Sequence, residues 1–144
     1  MKSRMLILLA AAALTGCKAE PPPIVAVSGI VTLDGKPLPK AEVRFYPEQP
    51  GLPGDYIAIA VTDENGKYTL MTNNQNGACA CTNKVTVSEG PPPDDARSQS
   101  KFDAYKATLK NRPIPEKFGT LASSPLTITV KADQSDYPIT ISRR

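Results

Sequence analysis

Three cysteines and no histidine set the limits on the chemistry open to this 144-residue chain. Two of the thiols, Cys79 and Cys81, flank Ala80. In an extended strand, residues i and i+2 point the same way, with Cβ atoms too far apart for a disulfide, which needs about 3.8 Å. A bridge between them therefore requires a turn or bulge at Ala80. The pair also shares parity with Val85 and Val87. Three readings stand: small core residues, a local disulfide, or a soft-metal pair for an ion such as copper(I), with only Met71 as a further soft ligand nearby. The lack of histidine removes Ser-His-Asp triads, Cys-His dyads, the commonest zinc sites and most acid–base schemes near neutral pH. Asp94-Asp95 is the obvious carboxylate pair for glycosidase-like chemistry, but three prolines precede it in a polar loop and it reads as solvated. Asp63-Glu64-Asn65-Gly66 offers oxygen ligands and a glycine turn, yet it lacks the later ligands and closing glutamate of an EF-hand loop. A hairpin turn accounts for it. No catalytic, cofactor-binding or metal residue is assigned, no cofactor is expected, and the chain is not expected to be an enzyme.

The third cysteine, Cys17, stands in a different setting. Lys2 and Arg4 form a short basic region, Met5–Leu14 is an apolar run, and Leu14-Thr15-Gly16-Cys17 follows directly. A secretory signal has this layout, and the run is shorter than the roughly 20 helical residues needed to span a bilayer. Leu-Thr-Gly-Cys resembles the lipobox of bacterial lipoproteins. The resemblance implies diacylglycerol on the Cys17 thiol, cleavage of residues 1–16 and acylation of the new amino group. Two or three chains on one residue meet the requirement that stable anchoring takes more than one. In that family Asp after the cysteine retains the protein in the inner membrane. Lys18 here implies the outer membrane where the host has two, on its periplasmic or surface face. Residues 17–23 then form a Pro-rich tether, since Pro21-Pro22-Pro23 favours extended polyproline II.

Removing residues 1–16 takes away two of the 17 basic residues and none of the 14 acidic ones, leaving a net charge of +1. Basic residues are scattered through the remainder, and no nucleic-acid partner is expected.

The elements that position these residues read as strands. Val25, Val27, Gly29, Val31 and Leu33 share one face, with Ala26, Ser28 and Thr32 alternating between them, and Asp34-Gly35 is a strong turn signal. Further runs place Ala41, Val43 and Phe45 inward, then Ile57, Ile59 and Val61, then Tyr68 and Leu70. Later ones place Val85 and Val87, Leu126, Ile128 and Val130, and finally Tyr137, Ile139 and Ile141. About seven short alternating strands must bury their apolar faces against one another, which predicts an all-β, two-layer sandwich over residues 24–144. Residues 90–124 break this rhythm. Phe102, Tyr105 and Leu109 fall at helical spacing there, predicting one or two helical turns packed on the sandwich within an irregular loop.

Val27–Val31 with Leu33–Leu38, then Ala41–Phe45, resembles the opening of transthyretin-like and carboxypeptidase-regulatory-like domains. Thr62–Tyr68 is similar to their next hairpin, and Ile114–Phe118 with Ser124–Val130 resembles the closing part of short lipoproteins carrying such a domain. The resemblance implies a seven-stranded prealbumin-like (Ig-like) sandwich acting as a structural or binding module in the cell envelope. One branch of that fold hydrolyses 5-hydroxyisourate through histidine-containing motifs, and this chain has no histidine to carry it. The partners expected are the membrane, through the lipid anchor, and an envelope protein or a glycan. A glycan or peptide would use exposed tyrosines, Tyr46, Tyr56 and Tyr105, with loops 47–56 and 90–124 as the candidate surface.

Overall fold

A computed structural model describes Gly16 and residues 20–144; Cys17 and residues 1–15, with the signal and lipidation expectations, lie outside the described residues. In chain order the strands begin with β1 (Ile24–Val25), β2 (Ser28–Leu33), β3 (Lys36–Pro37) and β4 (Ala41–Pro47). Then come β5 (Ala58–Val61), β6 (Lys67–Thr69), β7 (Met71–Thr72), β8 (Gln75–Asn76) and β9 (Ala78–Cys79). The last three are β10 (Thr82–Glu89), β11 (Thr127–Thr129) and β12 (Ile139–Ile141), with one α-helix, α1 (Gln99–Thr108), between β10 and β11. No described helix is long and apolar enough to cross a membrane.

The strands form a six-stranded sheet in the order β11-β10-β4-β5-β7-β8, a second sheet of β12-β2-β3 with β6 also on β2, and a small β1–β9 pair. Pairing is antiparallel except between β12 and β2. One apolar cluster joins the two larger sheets: Val31 and Leu33 from β2, Val43 and Phe45 from β4, Val85 and Val87 from β10, and Ile139 and Ile141 from β12. Fully burying each such side chain is worth about 1.5–3 kcal/mol. The chain is thus an all-β packing of mostly antiparallel sheets with one helix. Every alternating run overlaps a strand, although Leu70, Leu126, Val130 and Tyr137 fall just outside and five of the twelve strands are only two residues long.

β2 lies against the segment before β12 so closely that a Cβ on Gly29 would stand 2.3 Å from the Tyr137 carbonyl oxygen. Only glycine fits there. The buried Tyr68 hydroxyl donates to that same carbonyl at 2.6 Å.

Strand β5 faces opposite to the expectation. Ala58 and Ala60 are buried, while Ile59 and Val61 are 39% and 44% exposed and Ile57 is only half-buried. Register explains the inversion. Ala58 pairs with Phe45 and Ala60 with Val43, so β5's inward side meets the bulkiest residues of β4 and has room only for methyl groups. Ile59 and Val61 stand opposite Arg44 and Glu42 on the outer face.

The excursion at 90–124 also differs. Its helix has ten residues and buries none of them. Phe102 and Tyr105 stack on each other, ring centroids 6.5 Å apart, and stay half-buried with Leu109. What reaches the core is Phe118, with Ile114 packed against it. A polar clasp holds the excursion down. Asn111 Nδ2 donates to the carbonyls of Leu33, Lys36 and Pro37 at 3.0, 3.0 and 3.2 Å. Arg112 donates to Pro39 O at 2.8 Å and to Glu89 Oε2 at 2.9 Å. Arg143 joins Asp34, Asn111 and Pro113, tying the C-terminus to the same corner.

The register defines two poles. At one, Ile24 pairs with Cys79, Ala80 N–H donates to Pro23 O, and Asn83 stands opposite Pro47. At the other, Glu89 stands opposite Ala41, and the hairpin around Asp34 meets the clasp. β10's eight residues separate them by roughly 23 Å.

Candidate functional site

The two loops expected to form one surface do not come together. Loop 47–56 leaves β4 at the Ile24 pole, where Glu48 N–H donates to Thr82 O. The 90–124 excursion leaves β10 at the Glu89 pole, ahead of Gly90 N–H donating to Lys40 O. Tyr46, Tyr56 and Tyr105 are all half-buried, and the only ring pairing among them is Tyr105 with Phe102. They form no aromatic platform.

Around Ala80 the chain makes the tight turn that a disulfide would require: Cys81 N–H donates to Cys79 O at 2.8 Å. Both thiols are free. The turn also breaks the expected parity, leaving Cys79 buried and Cys81 half-exposed. Burial pushes the Cys79 thiol up to about 11, with Cys81 adding to the rise, and burial likewise raises Cys81, with a contribution from Glu48. Neutral, poorly nucleophilic thiols follow. Asn83 Nδ2 braces the turn by donating to Cys79 O and Cys81 O at 3.1 and 2.8 Å, and its buried Oδ1 has no hydrogen-bond partner among the described residues.

The two acidic motifs have structural roles. Asp63 Oδ1 accepts from the Asn65 and Lys67 amides at 2.8 and 3.0 Å, closing an Asx-type turn before β6. Asp94 and Asp95 are exposed, and Asp94 pairs with Arg97 at 2.5 Å. The protein-family models, curated proteins and solved structures compared with this chain include no match. The site must therefore be read from its own geometry.

That geometry concentrates at the Glu89 pole, which carries two grooves. The first, of about 590 Å³, opens between the end of β10, α1 and the 114–120 segment. Phe102, Ile114 and Pro115 supply apolar wall, and all of its charged lining residues are glutamates: Glu42, Glu89 and Glu116. Glu42 and Glu89 are half-buried and braced from behind by Arg44 Nε at 2.5 Å and Arg112 Nε at 2.9 Å. The bond to Glu42 raises the Arg44 guanidinium above its already high value, so it stays charged. Glu116 is exposed and has no ion-pair partner among the described residues.

The second groove, about 760 Å³, is basic: Lys36, Lys106, Lys110, Arg112 and Arg143 line it with Glu64. Three of these cations are engaged, Lys106 with Asp103, Arg112 with Glu89 and Arg143 with Asp34. The Arg112–Glu89 pair divides the grooves, its acid in one and its base in the other.

An apolar stripe adjoins the first groove. Val61 Cγ1 lies 3.4 Å from where a Cβ on Gly90 would stand, and Gly90 lines that groove. Ile59 follows Val61 on the same face and pairs with Met71, which is 42% exposed. The sequence marked the 90–124 loop, which supplies Phe102, Ile114 and Glu116, as part of a candidate surface, but it singled out neither Glu42 nor Glu89 on the strands. Glu42, Glu89 and Glu116 are 27 or more residues from one another along the chain, and only the β4–β10 register and the clasp bring them together.

Proposed function

We propose that this chain is a lipid-anchored, non-catalytic β-sandwich module of the bacterial cell envelope, transthyretin-like in fold. In this reading it is tethered through Cys17 and presents the Glu89 pole to a partner protein. The observation that carries the reading is polarity. The chain enters the sandwich at the Ile24 pole, directly after the Pro-rich residues 21–23, whereas the excursion and both large grooves sit at the opposite pole. A tether on one end and a sculpted surface on the other suit a domain that holds its grooves away from a membrane. The raised thiols and the carboxylates engaged with arginines or turn amides support a non-catalytic role. The exposed Ile59–Val61–Met71 stripe favours a protein over a glycan, because three aliphatic side chains offer a sugar no hydrogen bonds and no aromatic face.

Intact mass of the membrane-extracted protein tests the anchor. The expected mass begins at Cys17 and carries two or three acyl chains. An unacylated, soluble product would leave an exported or cytosolic sandwich and sink the tethered reading.

A further inference from the structure

The groove at the Glu89 pole has an unusual composition for an apolar cleft: three glutamates and no lysine or arginine. The braces behind two of them use one carboxylate oxygen each, Oε1 of Glu42 and Oε2 of Glu89. The second oxygen of each accepts no hydrogen bond from the described residues and is not fully enclosed. Two oriented acceptors and one free carboxylate, Glu116, therefore share a cleft with Phe102 and Ile114. The Lys106 ammonium already lies 4.9 Å from the Phe102 centroid, so this ring contributes apolar wall to the cleft and the carboxylates supply its attraction for a cation.

Each class of occupant meets this lining differently. An anion finds no cation in the lining to pair with. A purely apolar ligand would strip water from carboxylate oxygens and return nothing for it. A lysine or arginine side chain satisfies both parts, its methylene stem on the apolar wall and its head on the glutamates.

We propose that the groove binds a peptide segment of a partner protein carrying a lysine or arginine beside an apolar residue, the apolar neighbour extending onto Val61 and the Ile59–Met71 stripe. This deepens the reading of the chain as a presenting module but does not depend on its lipid anchor.

The test is NMR titration of the full protein, as extracted from its host, with the capped tripeptide Leu-Lys-Leu. The Leu-norleucine-Leu and Leu-Glu-Leu versions and 1,4-diaminobutane serve as comparisons. The lysine peptide should shift Ser88–Gly90, Phe102, Ile114 and Val61 saturably, and Glu116→Gln should weaken it about five- to tenfold, as loss of one charge-assisted contact does. Glu116 is exposed, so this variant leaves the fold intact, which an unchanged spectrum elsewhere verifies. Equal binding of the norleucine or glutamate peptide overturns the proposal, as does tighter binding of the free diamine or shifts scattered away from the groove. Because the readout is local to the groove, its failure is distinguishable from an absent acyl chain, which the mass reports.

Discussion

At the scale of single residues, burial decides what the thiols do. A Cys79 value of about 11, against an ordinary 9.0, lowers its thiolate fraction about 100-fold at neutral pH. Iodoacetamide at pH 8 should therefore modify half-exposed Cys81 first and Cys79 at least about 100-fold more slowly than in urea, as followed by mass spectrometry. Resistance of both thiols even in urea, until a reductant is added, would mean that the Ala80 turn is closed by a disulfide. Asp34 supplies a pH dependence. Hydrogen bonds from the Arg143 backbone and guanidinium hold its carboxyl below the ordinary 3.8. A depressed folded value contributes stability that is present above pH 3.8 and lost as the pH falls through the lower folded value. Asp34→Asn should therefore lower the urea midpoint at neutral pH, where that contribution is fully present, and flatten its fall at acid pH, where the two proteins converge.

At the scale of elements, strand β5 separates pattern from register. Its alternation is plain in the sequence, but alternation cannot say which parity faces in when alanine and isoleucine compete. Packing against Phe45 and Val43 awards the inside to the smaller residues. Ala60→Leu should then overpack the core and cost about 1–3 kcal/mol in urea denaturation. Ile59→Thr, on the outer face, should change stability by no more than about 0.5 kcal/mol. The reverse order would restore the inward-isoleucine reading. The excursion offers a second element-level test. Asn111 adopts φ 57°, so Asn111→Gly removes its side-chain bonds without adding backbone strain. Leaving the Leu33, Lys36 and Pro37 carbonyls without that donor should cost about 1–3 kcal/mol and loosen residues 90–124 to proteolysis.

At the scale of the whole molecule, Pro23 and the grooves lie at opposite poles, so the anchoring proposed at Cys17 should be separable from folding. Cys17→Ser should move the protein from membrane to soluble fractions while leaving its thermal midpoint unchanged, since the core begins only after Ile24. A lowered midpoint would mean that residues before Ile24 contribute to the core. Much of the β architecture was legible in the chain itself. Alternation marks Val27–Leu33, Ala41–Phe45, Val85–Val87 and Ile139–Ile141 as half-buried strands, because a period of two is a local property of extended backbone. The Asp34-Gly35 and Asn65-Gly66 turns are local in the same sense. The candidate groove was not legible. Glu42, Glu89 and Glu116 look like ordinary surface acids until antiparallel pairing sets Glu89 opposite Ala41 and the clasp folds residue 116 back over β10. Which loops share a pole, which face of β5 turns inward and which cysteine is buried were decided by long-range register and side-chain volume. Those quantities arise only when distant segments meet.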